Sequence, residues 1–133
     1  MRTKVICRTL MLLFPALLWA APAQHIVSAK FEYDFKRHHG CKGKENRPCV
    51  VQFNIYDIPR QGQPVKLFSI PAPPGAKKHV KNITGDSGSL ELTSGRHTFG
   101  ATALLSDGHE SDPRWCTVNA IVGPDRHVSL NLP

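Results

Sequence analysis

The chain has 133 residues and a formal net charge of +7, and this length suits a single domain with one hydrophobic core. Three of the 17 basic residues fall within positions 1–9, so the remainder is only mildly basic. Because the remainder also has no basic helix and no aromatic platform, the sequence argues against nucleic-acid binding.

Residues 1–23 have the pattern of a secretory signal peptide. A basic start is followed by the apolar run LMLLFPALLWAA and a small-x-small site, and cleavage is expected after Ala23. The apolar run is shorter than the roughly 20 residues that span a bilayer. We therefore predict an exported protein, secreted or periplasmic, with its domain at 24–133 and no membrane span after cleavage.

The predicted domain begins with an alternating segment, His25–Phe35, which is typical of a half-buried strand. Its core-facing residues are expected to be Val27, Ala29, Phe31, Tyr33 and Phe35. A polar stretch follows at Lys36–Pro48, which we name the basic loop. Its five cations, all candidate binding residues, are Lys36, Arg37, Lys42, Lys44 and Arg47.

The middle of the chain predicts shorter strands. Cys49–Ile58 is the second strand, and the residues expected on one face are Val51, Phe53 and Ile55. Pro64–Ile70 is predicted as a third strand, and Lys77–Ile83 as a ragged edge strand whose lysines discourage edge-to-edge pairing. Gly85–Gly88 predicts a turn.

The last part of the chain predicts four more strands. Ser89–Thr93 is predicted as a short strand. The strand after it has five residues on one face, His97, Phe99, Ala101, Ala103 and Leu105. Trp115–Val122 and His127–Leu132 complete the set. Because no window outside the signal segment has helical spacing, the pattern favours an all-β protein.

One strand and the loop after it resemble the penultimate strand of a fibronectin type III-like domain. The matching positions are Gly95, His97, Phe99, Ala101, Ala103, Gly108 and Ser111. The resemblance implies an immunoglobulin-like or fibronectin type III-like antiparallel β-sandwich, with His97 at a corner position that is usually tyrosine. The first strand of such domains has no counterpart before His25–Phe35, so we expect His127–Leu132 to take its place at a sheet edge.

In such a sandwich the basic loop and Asp107–Pro113 would lie at the same end. We name Asp107–Pro113 the acidic loop; its candidate binding residues are Asp107, His109 and Glu110. The loops of one end commonly carry function on a rigid scaffold. The sequence thus predicts a non-enzymatic binding or structural module that recognises a protein or cell-envelope partner through these loops or a sheet edge, without a cofactor.

Three cysteines remain after the predicted cleavage, Cys41, Cys49 and Cys116. Export favours a disulfide, but the sequence allows three pairings and does not choose among them. The odd number leaves one thiol, which would allow a dimer.

A second hypothesis is a small metal-binding protein. Imidazole and thiolate ligands suit zinc or copper, and the candidate ligands are His38, His39, Cys41 and His109. Nucleophilic catalysis finds no support, because no serine lies in a nucleophile elbow.

Overall fold

The computed structural model describes residues 23–43, 47–77 and 81–133. The predicted signal segment therefore lies outside the described residues, apart from Ala23, which opens the first strand. Lys44 of the basic loop also lies outside them.

Strands make up most of the described chain. In chain order they are β1 (Ala23–Tyr33), β2 (Val50–Asp57), β3 (Val65–Pro71), β4 (Lys81–Asp86), β5 (Leu90–Leu92), β6 (Gly95–Leu105), β7 (Thr117–Val122) and β8 (His127–Asn131). A 3-10 turn, Pro113–Trp115, precedes β7.

Two sheets pack face to face, so the predicted all-β sandwich is confirmed. In one sheet β1 is central: β4 and then β5 pair with it antiparallel, and β8 pairs with it in parallel. The other sheet is antiparallel throughout, in the order β3-β2-β6-β7. The expectation that the last strand lies at a sheet edge is confirmed, although its parallel pairing departs from a purely antiparallel sandwich.

The core is aromatic where β1 faces β2. The Phe53 side chain is 1% exposed, and its ring centroid lies 5.2 Å from that of Phe31 and 4.9 Å from that of Tyr33, both at edge-on angles. Edge-to-face packing is favourable for aromatic rings beyond the area they bury. The predicted inward face of β1 is confirmed, since Val27, Ala29 and Phe31 are buried.

The predicted inward face of β2 is wrong at one position. Val51 is 42% exposed, whereas Val50 is fully buried. The register with β6 shifts between Val50 and Gln52, so an irregularity in the strand reverses the alternation there.

The predicted turn at Gly85–Gly88 is also wrong in its first half, because β4 continues through Gly85 to Asp86. A Cβ on Gly85 would lie 2.5 Å from Cγ1 of Ile70. Gly85 therefore allows the two sheets to approach closely and does not form a turn.

The basic and acidic loops lie at one end of the sandwich, as predicted. The backbone N–H of Ser106 donates to the carbonyl of Cys49 at 2.8 Å, and the N–H of Cys49 donates to Oγ of Ser106 at 3.1 Å. On its other side the basic loop is tied to the segment after β3, because the N–H of Gly40 donates to the carbonyl of Ala76 at 2.9 Å. Backbone hydrogen bonds from Ser106, just after β6, and from the segment after β3 thus hold the basic loop in place.

Candidate binding site

Trp115 is the most exposed large apolar residue described, with 80% of its surface accessible. It ends the 3-10 turn, in which the Asp112 carboxylate accepts a hydrogen bond from the N–H of Arg114 at 2.9 Å and Pro113 occupies the first turn. Both are favourable at the start of a helical turn. Because of this turn, the Trp115 side chain is exposed and β7 begins only at Thr117. The predicted strand start at Trp115 is therefore wrong.

A glycine in β6 allows this turn to pack closely. A Cβ on Gly100 would lie 2.2 Å from the carbonyl oxygen of Pro113, a distance that no side chain tolerates. The absence of a side chain at Gly100 therefore helps to set the position of Trp115.

Trp115 borders a surface groove of about 340 Å³, which we name the Trp115 groove. Arg37 and His38 of the basic loop line it, together with His109 of the acidic loop. Its apolar lining includes Tyr33, Ala103 and Leu105. The groove combines an exposed indole and an apolar floor with the side chains of one arginine, two histidines and Glu110.

The structure brings together only part of the predicted binding set. Arg37, His109 and Glu110 line the Trp115 groove. Lys36, Lys42 and Arg47 are exposed but do not line it.

Asp107 is engaged locally with His109. Its carboxylate accepts the N–H of His109 at 3.0 Å and lies 2.9 Å from Nδ1 of the same residue. The backbone hydrogen bond first, and the imidazole contact second, lower the pKa of Asp107. The Asp107 carboxylate therefore stabilises the conformation of the acidic loop.

Glu110 acts as an internal anchor. Its Oε2 accepts hydrogen bonds from Nδ2 of Asn54 at 3.1 Å, from the Tyr56 hydroxyl at 2.5 Å and from the Thr102 hydroxyl. Asn54 and Thr102 are each 2% exposed, so their polar groups depend on partners inside the molecule. This carboxylate fastens the acidic loop onto β2 and β6, and the prediction that Glu110 binds a ligand gains no support from its contacts.

The protonation of this cluster follows from its hydrogen bonds. Partial burial alone would raise the pKa of Glu110, but the bonds from Thr102, Tyr56 and Asn54 favour the carboxylate, and the net pKa is lowered. Burial first, and the hydrogen bond to Glu110 second, raise the pKa of Tyr56 to about 12.

We expect Glu110→Gln to bring the titration of Tyr56 closer to its ordinary pKa, because the charged acceptor that favours the protonated phenol is lost. Ultraviolet absorbance of tyrosinate during an alkaline titration measures this. Tyr33 is the internal control, since its raised pKa arises from burial and Asp34 rather than Glu110. An unchanged Tyr56 titration would contradict the described contact.

Acid stability gives a second readout of the same variant. A lowered folded-state pKa contributes stability above the unfolded value near 4.5, and this contribution is lost as pH falls below that value. Glu110→Gln should therefore show a shallower loss of stability between neutral and acid pH.

The disulfide pairing that the sequence left open is Cys41–Cys49, with the two Cα atoms 5.0 Å apart. Cys116 is a free thiol, and its Sγ donates to the carbonyl of Pro133 at 3.3 Å. Burial raises the pKa of this thiol. A bridge between the basic loop and Cys116 does not form, and a dimer through Cys116 stays a prediction.

The candidate metal ligands do not converge in the part of the chain that the structure describes. His38 and His109 line the same groove, but no three His, Cys, Asp or Glu side chains of the described residues are placed to hold an ion. The sulfur of Cys41 is bonded to Cys49 and offers no thiolate. The hypothesis of a metal-binding protein therefore lacks the thiolate ligand of Cys41 while the disulfide is intact.

His97 makes two polar contacts near the start of β6. Its Nε2 lies 2.7 Å from the carbonyl oxygen of Thr93, four residues upstream, and its Nδ1 lies 2.9 Å from Oδ2 of Asp57. The histidine–aspartate pair resembles part of a catalytic triad. However, the nitrogen that a general base would use faces a backbone carbonyl, so the arrangement favours a structural role.

Comparison with known proteins gives no relative from which a role could be transferred: no family model, curated protein or solved structure matches the chain. Among residues 23–43, 47–77 and 81–133, no helix is long and apolar enough to cross a membrane.

Proposed function

We propose that this protein is an exported, non-enzymatic binding module of the fibronectin type III-like kind. Its partner is a protein or a component of the cell envelope, recognised at the Trp115 groove. The basic and acidic loops supply the walls of the recognition surface, and the sandwich supplies a rigid support.

The observation that carries the proposal is the 80% exposure of Trp115 on a groove that Arg37 also lines. Tryptophan and arginine are among the residue types enriched at the positions that dominate binding energy at protein interfaces. Exposed tryptophan is unfavourable in water, and here the short turn at Pro113–Trp115 holds it at the surface. Such a placement suits a side chain that becomes covered by a partner.

Two features support export. The predicted signal segment has the order of charge and hydropathy that secretion requires. The Cys41–Cys49 disulfide belongs to a class of bond that persists mainly in oxidising compartments.

We expect Trp115→Ala to lose partner capture without loss of stability. The protein is immobilised, exposed to extracts of the host's envelope and medium, and the captured proteins are quantified. Ile121→Ala is the matched control, since Ile121 is 75% exposed on β7 and does not line the groove. A neutralised variant of Lys42, Lys44 and Arg47 measures the contribution of the rest of the basic loop.

A supporting result is a partner that is captured by the wild type and by Ile121→Ala but not by Trp115→Ala, and that binds the purified wild type directly. Equal capture by all three proteins, with equal unfolding midpoints, would contradict recognition at the groove.

A further inference from the structure

The four-stranded sheet ends in two edges that differ in their protection against pairing. β3 forms one edge; it carries Lys66 and ends at Pro71, and the register between β2 and β3 shifts at Ile55. Lysine, proline and an irregular register each discourage edge-to-edge pairing. β7 forms the other edge, and its sequence TVNAIV has no charged residue and no proline. Its register with β6 is regular, so β7 lacks the features that protect β3.

The hydrogen bonds of β7 show which of its backbone groups face away from the sheet. The N–H of Ala101 donates to the carbonyl of Cys116 at 3.0 Å, so these two residues form a hydrogen-bonded pair. In an antiparallel ladder such pairs alternate with pairs that exchange no hydrogen bond. The backbone groups of Thr117, Asn119 and Ile121 therefore point outward, and no described residue supplies a backbone partner for them.

The side chains along this edge are accessible and uncharged. Ile121 is 75% exposed, and Asn119 is also exposed. The Thr98 hydroxyl donates to Oδ1 of Asn119 at 2.7 Å, which leaves the amide N–H groups of Asn119 available to another acceptor. The chain continues from β7 into β8, which belongs to the other sheet, so the open edge of β7 is internal to the sequence.

The charges that flank β7 are balanced at both ends. Asp112 and Arg114 are the nearest charged residues before it, and Asp125 and Arg126 are the nearest after it. Antiparallel pairing with an identical strand brings the beginning of one β7 to the end of the other. Neither contact then opposes two groups of like net charge, so the edge is compatible with a second copy of itself.

We propose that β7 of one copy pairs antiparallel with β7 of a second copy, which joins two four-stranded sheets into one continuous sheet. Asn119 lies on the two-fold axis opposite its own equivalent, and Thr117 lies opposite Ile121. In this register the outward backbone groups of all three residues pair, and the amide of each Asn119 donates to the other. Such an interface uses the same patch on both copies and closes at the dimer.

This association is separate from the two binding ideas described above. No residue of β7 lines the Trp115 groove. The register also places Cys116 opposite Val122 of the second copy, so the two thiols do not meet. The dimer is therefore not a disulfide-linked one.

Sedimentation equilibrium of the exported protein over a range of concentrations tests the proposal. We expect the wild type and Cys116→Ser to reach the mass of two chains equally. Asn119→Lys and Asn119→Asp each place two like charges directly opposite each other, so each variant should weaken the dimer by about tenfold or more. An equimolar mixture of these two variants should recover the dimer, because the facing charges are then opposite, and this recovery shows that both variants are folded.

Val65→Lys is the matched control, since Val65 is 56% exposed on β3, the other edge of the same sheet, and this variant should dimerise like the wild type. Hydrogen exchange gives an independent readout: the Asn119 amide should exchange more slowly as protein concentration rises. A single-chain mass for the wild type at every concentration would overturn the proposal. So would a dimer that Cys116→Ser abolishes, a dimer that neither Asn119 variant weakens, or a mixture of the two variants that stays monomeric.

Discussion

Phe53→Ala should reduce the free energy of unfolding by about 3–5 kcal/mol, the usual cost of truncating a buried phenylalanine. Phe53 is 1% exposed and contacts the rings of Phe31, Tyr33 and Phe35. Its removal leaves a cavity between β1 and β2 and deletes three edge-to-face contacts. For a small β-sandwich, the loss is a large fraction of total stability.

Chemical denaturation followed by circular dichroism measures this change. Val65→Ala is the control, because Val65 is 56% exposed on β3 and its truncation should change stability by no more than about 0.5 kcal/mol. A loss below about 1 kcal/mol for Phe53→Ala would contradict the central position of this ring.

Replacing both Cys41 and Cys49 by serine should cost about 2–3 kcal/mol, from the loop-closure entropy of two cysteines separated by 8 positions. The disulfide closes the ring that contains Lys42 and Arg47, so its removal also releases these two residues from that covalent constraint. Reductant should destabilise the wild type by a similar amount and leave the double variant unchanged.

Cys116→Ser is the matched control, because Cys116 is a free thiol and serine retains a donor toward the carbonyl of Pro133. We expect its unfolding midpoint to remain near that of the wild type. A double variant as stable as the wild type, or an equal loss for Cys116→Ser, would contradict the described pairing.

Much of the fold could be predicted from local alternation. The pattern in His25–Phe35 predicted β1 and its buried face, and the aligned valine and leucines of His127–Leu132 predicted β8. Alternation fails where a strand is irregular. Val51 was assigned to the wrong face because a shift in pairing with β6 depends on contacts with a strand about 50 residues later in the chain.

The candidate site was less predictable, because its key residue depends on a turn. Trp115 stands in an apolar stretch, WCTVNAIV, whose composition favours a strand. The Asp-Pro pair just before it is a start signal for a helical turn and could have indicated the exposed position. Similarly, the sequence does not show that Glu110 is held within the molecule, because two of its three donors, Asn54 and Tyr56, are 56 and 54 residues away and only the fold brings them to the carboxylate.

The parallel pairing of β1 with β8 has a consequence for how the chain acquires its structure. Ile26 lies opposite His127, about 100 residues away, and every partner of β1 follows it along the chain. Contacts of such long range slow folding, because the chain between the two strands must close into a loop before their contacts can stabilise it. The first of the described strands can therefore complete its pairing only after the last of them has been synthesised.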